Sequence, residues 1–310
     1  AFSRPPYPES FYLDPNGKFA NATINTHAVE LRTYQASDAE RGMIQDMRRV
    51  FRDSTIKKIS PFHHIEPLMR RERKKIMLLP LQFCGHYGFE GTCKYRTQGE
   101  LLRDVVERTD PDIGILVINH STAQHHSTIP PNDLYVYLSK HHDNLFFNND
   151  FNRVVHPSQY LLAHVDMVAT VSSSVGLQAL LWNKPIIALG DSHINAVADY
   201  ASLEDVSADT PTEPTWDKTG AFAWLLRHYY IPASYYRTPG WLGDFAERSM
   251  TNWREGRRGL DFFEPIDTPE AIAKAWIDNI DLRVPKIRNT APETTTVPIT
   301  RVSAEPAKAQ

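Results

Sequence analysis

Three consecutive serines, Ser172-Ser173-Ser174, stand between an apolar run at 167–171 and a helical pattern that reaches Trp182. Unpaired backbone N–H groups at a helix start, joined by serine hydroxyls, suit a phosphate or a carboxylate. Gly176, in the first turn, lets a ligand or a neighbouring strand come close. The plainer alternative is that one serine caps the helix and the others are bystanders. A second polar stretch, Cys84-Gly85-His86-Tyr87-Gly88-Phe89-Glu90-Gly91, follows the apolar run at 76–83. His86 and Glu90 are candidate acid–base groups there, against the alternative of a loop with two ordinary polar residues. His120, just past the run at 113–118, can donate to a phosphate or exchange a proton with a substrate; a hydrogen-bonded structural histidine is the competing account.

Several familiar chemistries are disfavoured. Gly85, Gly88 and Gly91 allow a tight backbone path, but the G-x-G start and the later acidic residue of a dinucleotide fingerprint are missing. There is no G-x-S-x-G elbow and no G-x-x-x-x-G-K-[ST], which argues against a serine hydrolase and a P-loop nucleotidase. The 13 histidines include the pairs His63-His64, His125-His126 and His141-His142, yet no H-E-x-x-H occurs, and no metal site is expected. Trp241, Trp253, Arg254, Arg257 and Arg258 can line an acceptor site for an anionic sugar, or be core aromatics beside solvated arginines.

These residues need elements to hold them. Short apolar runs at 76–83, 113–118, 145–147, 167–171 and 185–189 read as buried parallel strands, with Pro80 able to end the first early. Helical patterns at 97–108, 131–141, 157–163 and 174–182 alternate with them, so the class is α/β with a parallel sheet covered on both faces. In such sheets ligands bind beyond the carboxyl ends of the strands. Polar residues, often with glycine, follow four of the five runs and are expected to converge on one edge, including Gly190-Asp191-Ser192-His193 after the last.

The flanks differ. Residues 1–75 form a reduced N-terminal segment, irregular to about 33 with room for one short strand, then helical at 37–52. The basic run Arg70-Arg71-Glu72-Arg73-Lys74-Lys75 reads as a solvated face, with contact to an anionic membrane surface as the second reading. After Gly190 the pattern is helical, at 219–230, 241–254 and 269–280. Residues 284–310, rich in Thr, Pro, Ala and Glu, are expected to be a disordered tail.

The 310 residues carry 34 basic and 37 acidic side chains, a net charge of −3. That balance argues against nucleic acid as the main partner. Cys84 and Cys93 cannot build a disulfide framework, which fits a reducing, cytoplasmic setting. No apolar run is long enough to cross a bilayer, and the first ten residues lack the apolar core of a signal peptide.

Taken together, residues 76–91, 115–121 and 168–190 resemble the capsule polysaccharide biosynthesis family, which includes bacterial Kdo transferases. The stretch from Val171 to Gly190 is similar to that family's serine motif followed by G-[FL]-E-A-L-L-x-x-K-P-[VI]. Residues 115–121 resemble the strand that ends in its His-Pro motif, and residues 79–86 its L-P-L-Q-x-x-G-D segment. The resemblance implies a GT-B-like fold with one complete Rossmann-like domain over 76–283. It implies a glycosyltransferase of capsule or other surface polysaccharide assembly. The donor would be a nucleotide sugar, CMP-Kdo or a related acid sugar, bound as substrate rather than as a resident cofactor. The acceptor would be a glycan or glycolipid, with a polysaccharide synthase complex or the inner membrane surface as a further partner.

Carried to matching positions, Ser172 and Ser173 would hold the nucleotide phosphate and His120 the phosphate or leaving group. Gln82 and Gly85 would face the transferred sugar, with Ser174, Gly176 and Gln178 completing the donor loop. Three positions depart: His120-Ser121 replaces His-Pro, Gln178 replaces the glutamate, and His86 replaces the aspartate. Histidine cannot simply stand in for a carboxylate at a cationic sugar centre. Either Glu90 substitutes, or donor and mechanism differ, or the protein binds without transferring. A sugar-nucleotide epimerase or hydrolase of the same architecture, and a catalytically degenerate partner of a synthase, are the alternative functions.

Overall fold

The computed structural model describes residues 7, 10–55, 60–82, 84, 87–120, 130, 132–147, 151, 156–213 and 215–281. The strands are β1 (Ser10–Phe11), β2 (Lys75–Pro80), β3 (Ile113–Ile118), β4 (Leu145–Phe147), β5 (Met167–Thr170), β6 (Ile186–Ala188) and β7 (Ile231–Pro232). Five of them form one sheet in the order β4-β3-β2-β5-β6, every pairing parallel. Its first strand in chain order ends at Pro80 rather than running to residue 83, with one further bond to β3 from the Leu81 N–H. Successive residues alternate between two cores. Ile76, Leu78, Leu116, Val168 and Ile186 face one; Met77, Leu79, Ile115, Met167 and Ile187 face the other. Burial on both faces is why each strand reads as an unbroken apolar run.

One face carries the helices Gln98–Arg108 and Asn132–His141, which contribute Leu101, Leu102, Val105, Tyr135 and Leu138. The larger core, on the other face, takes residues from the Asp38–Thr55, Pro157–Leu161, Ser174–Gln178, Lys218–Trp224 and Pro269–Asp281 helices. Tyr7, Phe11, Tyr12, Ile24 and Leu31 enter that same core, and β1 pairs antiparallel with β7. The segment before Thr33 therefore packs into the body of the fold, and contains two short helices, Thr23–Thr26 and Ala28–Arg32, in stretches read from sequence as irregular. A further helix, Ser60–Glu72, lies where only the basic run drew notice; it continues through Pro67. The patterns at 174–182 and 219–230 each begin as α-helix and tighten or widen at the end: Ala179–Trp182 is 3₁₀ and Leu225–Tyr229 is π.

The basic run lies largely on the solvated surface, with several of its members paired. Arg70 pairs with Asp166, Arg73 with Asp143 at 2.7 Å, Lys74 with Asp112 at 3.0 Å, and Lys75 donates to the Thr210 carbonyl. Residues 282–310, including the expected tail, lie outside the described residues, as do Gly85, His86 and Ser121. No helix among the described residues is long and apolar enough to cross a membrane.

Candidate functional site

The chain runs from β2 outward to β3 and β4, then returns to the other side of β2 to make β5 and β6. The reversal lies between β2 and β5, and the crevice beyond such a pair is where an open parallel sheet presents a ligand site. Gln82 and Ser172 meet there. The Gln82 amide Nε2 donates to Ser172 Oγ at 2.9 Å, and the Ser172 backbone N–H donates to Gln82 Oε1 at 3.0 Å. Ser172 Oγ in turn donates to the Gly88 carbonyl, which fixes the loop after β2 against the loop after β5. Behind Gln82, its own N–H donates to Gln98 Oε1 at 2.9 Å, and Gln98 is fully buried. Gln98 was not singled out from sequence; an amide on a helix's first turn gives no local signal of a partner sixteen residues earlier.

The three serines divide their work. Ser172 is committed to holding two loops together. Ser173 is the helix cap: its Oγ accepts from the Val175 N–H at 3.3 Å, and its N–H donates to Thr170 Oγ1 at 3.2 Å. A hydroxyl that accepts at one lone pair keeps its own hydrogen to donate outward. Ser174, half-buried, opens the helix. Gly176 serves chain packing: a Cβ there would stand 2.9 Å from Ile194 Cδ1 and 3.0 Å from Thr170 Cγ2. Gln178 is buried on the same helix.

His120 stands two residues past β3, half-buried, beside the strand end that carries Gln82. The Leu81 N–H donates to the Ile118 carbonyl at 2.8 Å, carrying the β2–β3 register beyond the strands, and Asn119 Oδ1 accepts from Tyr135 Oη at 2.8 Å. Glu90 ends the one-turn helix Tyr87–Glu90 and is exposed, on the loop that Ser172 anchors. Gln82, His120, Glu90 and the serines are thus brought to one edge, whereas His86 and Gly85 fall outside the described residues. The loop after β6 reaches the same edge: Ser192 Oγ donates to the Val171 carbonyl at 2.6 Å, and His193 follows, buried. Burial pushes the His193 imidazole down to about 4, so it is neutral at neutral pH. The N-terminal segment crosses here too, with Phe19 packed against His193 and Tyr87. Among the described residues no group of three His, Cys, Asp or Glu is placed to hold a metal ion.

Of the other acceptor candidates, Trp241, Arg257 and Arg258 make contacts within the C-terminal part. Trp241 stacks on Phe245, Arg258 lies over the Trp253 ring at 3.3 Å, and Arg257 pairs with Glu255 at 2.8 Å. A separate open cleft of about 750 Å3 lies between the Gln98–Arg108 and Asn132–His141 helices, lined by Lys94, Arg103, Asp104, Glu107 and Tyr137. Lys94 and Arg108 both pair with Asp104 in and beside it, and it includes none of the strand-end residues. The strand-end crevice, where conformationally fixed polar groups converge, is the better candidate site.

Fold and site together define an open α/β protein with a Rossmann-type strand order and polar loops at its switch point. Within that class the chain belongs to the capsule polysaccharide biosynthesis protein family, whose model matches residues 20–236. Two solved structures are similar to it in part. One is the beta Kdo 2,7 transferase of Thermosulfurimonas dismutans KpsC, at 17% identity and a TM-score of 0.42, covering 72% of this chain and 66% of that one. The other is the beta Kdo 2,4 transferase of the same protein, at 17% identity and a TM-score of 0.40, covering 70% and 65%. The chain thus spans slightly under two thirds of the length of each. A search of curated proteins gave no match.

Proposed function

We propose that the protein is a glycosyltransferase of capsule or other surface polysaccharide assembly that takes its sugar from a nucleotide donor. The donor is CMP-activated, carrying Kdo or a related acid sugar, and the acceptor is a glycan or glycolipid. The observation that carries this reading is the Gln82–Ser172–Gly88 lock at the sheet's switch point, in a chain of the capsule family. By fixing both loops it leaves the Ser173 and Ser174 hydroxyls, with His120 one strand away, to receive the donor phosphate. This revises the division of roles expected from sequence, since the Ser172 hydroxyl serves the loops rather than the phosphate. Glu90, exposed on the anchored loop, is the carboxylate assigned to act at the sugar carbon, with His86 four residues before it.

The test is equilibrium binding of CMP, CDP, UDP, GDP and NAD, followed by sugar transfer from the preferred donor. Selective CMP binding is expected, weakened by His120→Ala and by Ser173→Asp. Aspartate preserves the helix cap but sets a negative charge against the phosphate, so its effect is separable from loss of fold. Absence of binding to every nucleotide would remove the reading. The replacement of the family's aspartate and glutamate by His86 and Gln178 favours one second reading, a synthase partner that binds without transferring. In that case CMP binds, no donor is consumed, and Glu90→Gln leaves cellular function intact.

A further inference from the structure

Among the described residues three non-glycine backbones enter the left-handed region: Phe19, His156 and Asn183, with φ of 53°, 53° and 54°. Asn183 ends the Ala179–Trp182 turn, a helix end where the left-handed region is common, whereas His156, directly before Pro157, has no such reason. Phe19 has none of that kind, and a bulky side chain is a true outlier there. Such strain persists only where the surroundings impose it. Asn25 does so: its Nδ2 donates to the carbonyls of Phe19 at 2.9 Å, Ala20 at 3.1 Å and Ser192 at 3.0 Å. Its Oδ1 accepts from the Ala196 N–H at 3.0 Å. One amide thus clamps the Phe19 turn to the loop after β6.

Core packing does not account for the strain, because Phe19 is half-buried and belongs to neither core. Its ring instead sits 5.7 Å from Tyr87 and 5.7 Å from His193, centroid to centroid. Tyr87 is 67% exposed and directly precedes Gly88, whose carbonyl accepts the Ser172 hydroxyl. His193 is only 8% exposed, yet its Nε2 has no hydrogen-bond partner among the described residues. Three rings from distant parts of the chain are therefore gathered beside the serine loop, with Tyr87 open to solvent and His193 buried beneath Phe19.

We propose that Phe19 and Tyr87 are a stacking platform for the nucleobase of the bound nucleotide, with the buried His193 ring backing Phe19 from beneath. The proposal rests on the nucleotide-binding function argued above and adds where the base lies. A flat aromatic ligand suits two adjoining rings, and stacking of this kind accepts any base. Phosphate at Ser173 and base at Tyr87 would be bridged through a loop that Ser172 already ties together. Phe19 stands immediately before the residues matched by the family model, 20–236.

The experiment compares affinities of the intact protein for CMP and for ribose 5-phosphate, which has the same sugar and phosphate but no base. Phe19→Gly and Tyr87→Ala are each expected to weaken CMP by about tenfold, leave ribose 5-phosphate unchanged, and be matched by Phe19→Trp retaining wild-type affinity. Glycine relieves the strained φ, so the thermal midpoint of Phe19→Gly holds or rises, which a purely structural role for the ring would not allow. CMP affinity unchanged in both variants overturns the platform, and so does an equal loss for CMP and ribose 5-phosphate. Failure of the nucleotide reading looks different: a wild type that binds no nucleotide overturns both. Phe19-dependent CMP binding that ignores Ser173→Asp keeps the platform and removes the phosphate site.

Discussion

Ser172 and Gln82 exchange two hydrogen bonds, and each satisfies a group the other would leave stranded at the strand ends. Gln82→Met preserves side-chain length but removes both partners, leaving the Ser172 N–H and hydroxyl short of one bond each. A loss of about 1–3 kcal/mol is expected in urea unfolding. Because Ser172→Ala removes part of the same pair, the double variant should lose less than the two singles together; strict additivity would show that the lock contributes nothing as a unit. His193 makes a second residue-scale case. Its imidazole is held neutral by burial, at about 4 against 6.5 when exposed. A histidine with a lowered native value binds its proton more readily in the unfolded chain, so stability is full above 6.5 and is lost as pH falls toward 4. The drop corresponds to about 3 kcal/mol. His193→Phe should flatten the stability profile between pH 6.5 and 4, where an unchanged slope would show that other groups carry it. His164 and His228, lowered by the same cause, act in the same direction and leave a residual slope.

At the scale of elements, the loops after β2, β5 and β6 are held by close approach of backbone. A Cβ on Gly190 would fall on the Thr92 carbonyl oxygen, which also accepts from the Asp191 N–H at 2.6 Å. A Cβ on Gly176 would instead meet the Ile194 side chain, which can rotate away. Gly190→Ala is therefore expected to destabilise by about 1–3 kcal/mol and Gly176→Ala by clearly less, with denaturant midpoints giving the order; the reverse order would mean that the Ile194 contact is the rigid one. Both glycines stood in the sequence as edge features, but their nearest contacts, Ile194 for Gly176 and Thr92 for Gly190, lie 18 and 98 residues away and are invisible to a local pattern. The sheet was legible because burial on both faces gives every strand an unbroken apolar run, and Pro80 marked the first strand's end. The convergence of Gln82, His120 and Ser172–Ser174 followed from strand direction alone. Gln98, Asn25 and Phe19 did not, since an amide that clamps a distant carbonyl and a phenylalanine forced to positive φ look ordinary in sequence. The Ser60–Glu72 helix was missed for a related reason, as Pro67 and the arginines that follow it mask its apolar face.

For the molecule as a whole, the N-terminal segment is built into the larger core and anchored by buried polar groups. Asp14 accepts from Tyr229 Oη at 2.6 Å, from the Thr23 N–H at 2.8 Å and from Thr23 Oγ1 at 2.7 Å, joining residues separated by more than two hundred positions. Arg32 donates to the carbonyls of Asn195, Ala196 and Ala198, closing the turn after His193. Nearby, the buried Lys218 ammonium pairs with Asp199, whose carboxylate also accepts from the Ile186 N–H at 2.8 Å and Trp216 Nε1 at 3.1 Å. The N-terminal turn that carries Phe19 is thereby coupled to the same body that holds the serine loop, and the two should not unfold apart. Asp14→Ala strands several buried donors at once and is expected to destabilise by at least about 2 kcal/mol. The informative observable is the shape of the transition. Near-ultraviolet signals from the tryptophans and far-ultraviolet signals from the helices should shift together in one cooperative step, as in a single unit. A split into two transitions, with the sheet's melting unmoved, would make residues 10–33 a separable arm. The Phe19 platform would then depend on docking of that arm rather than on the fold itself.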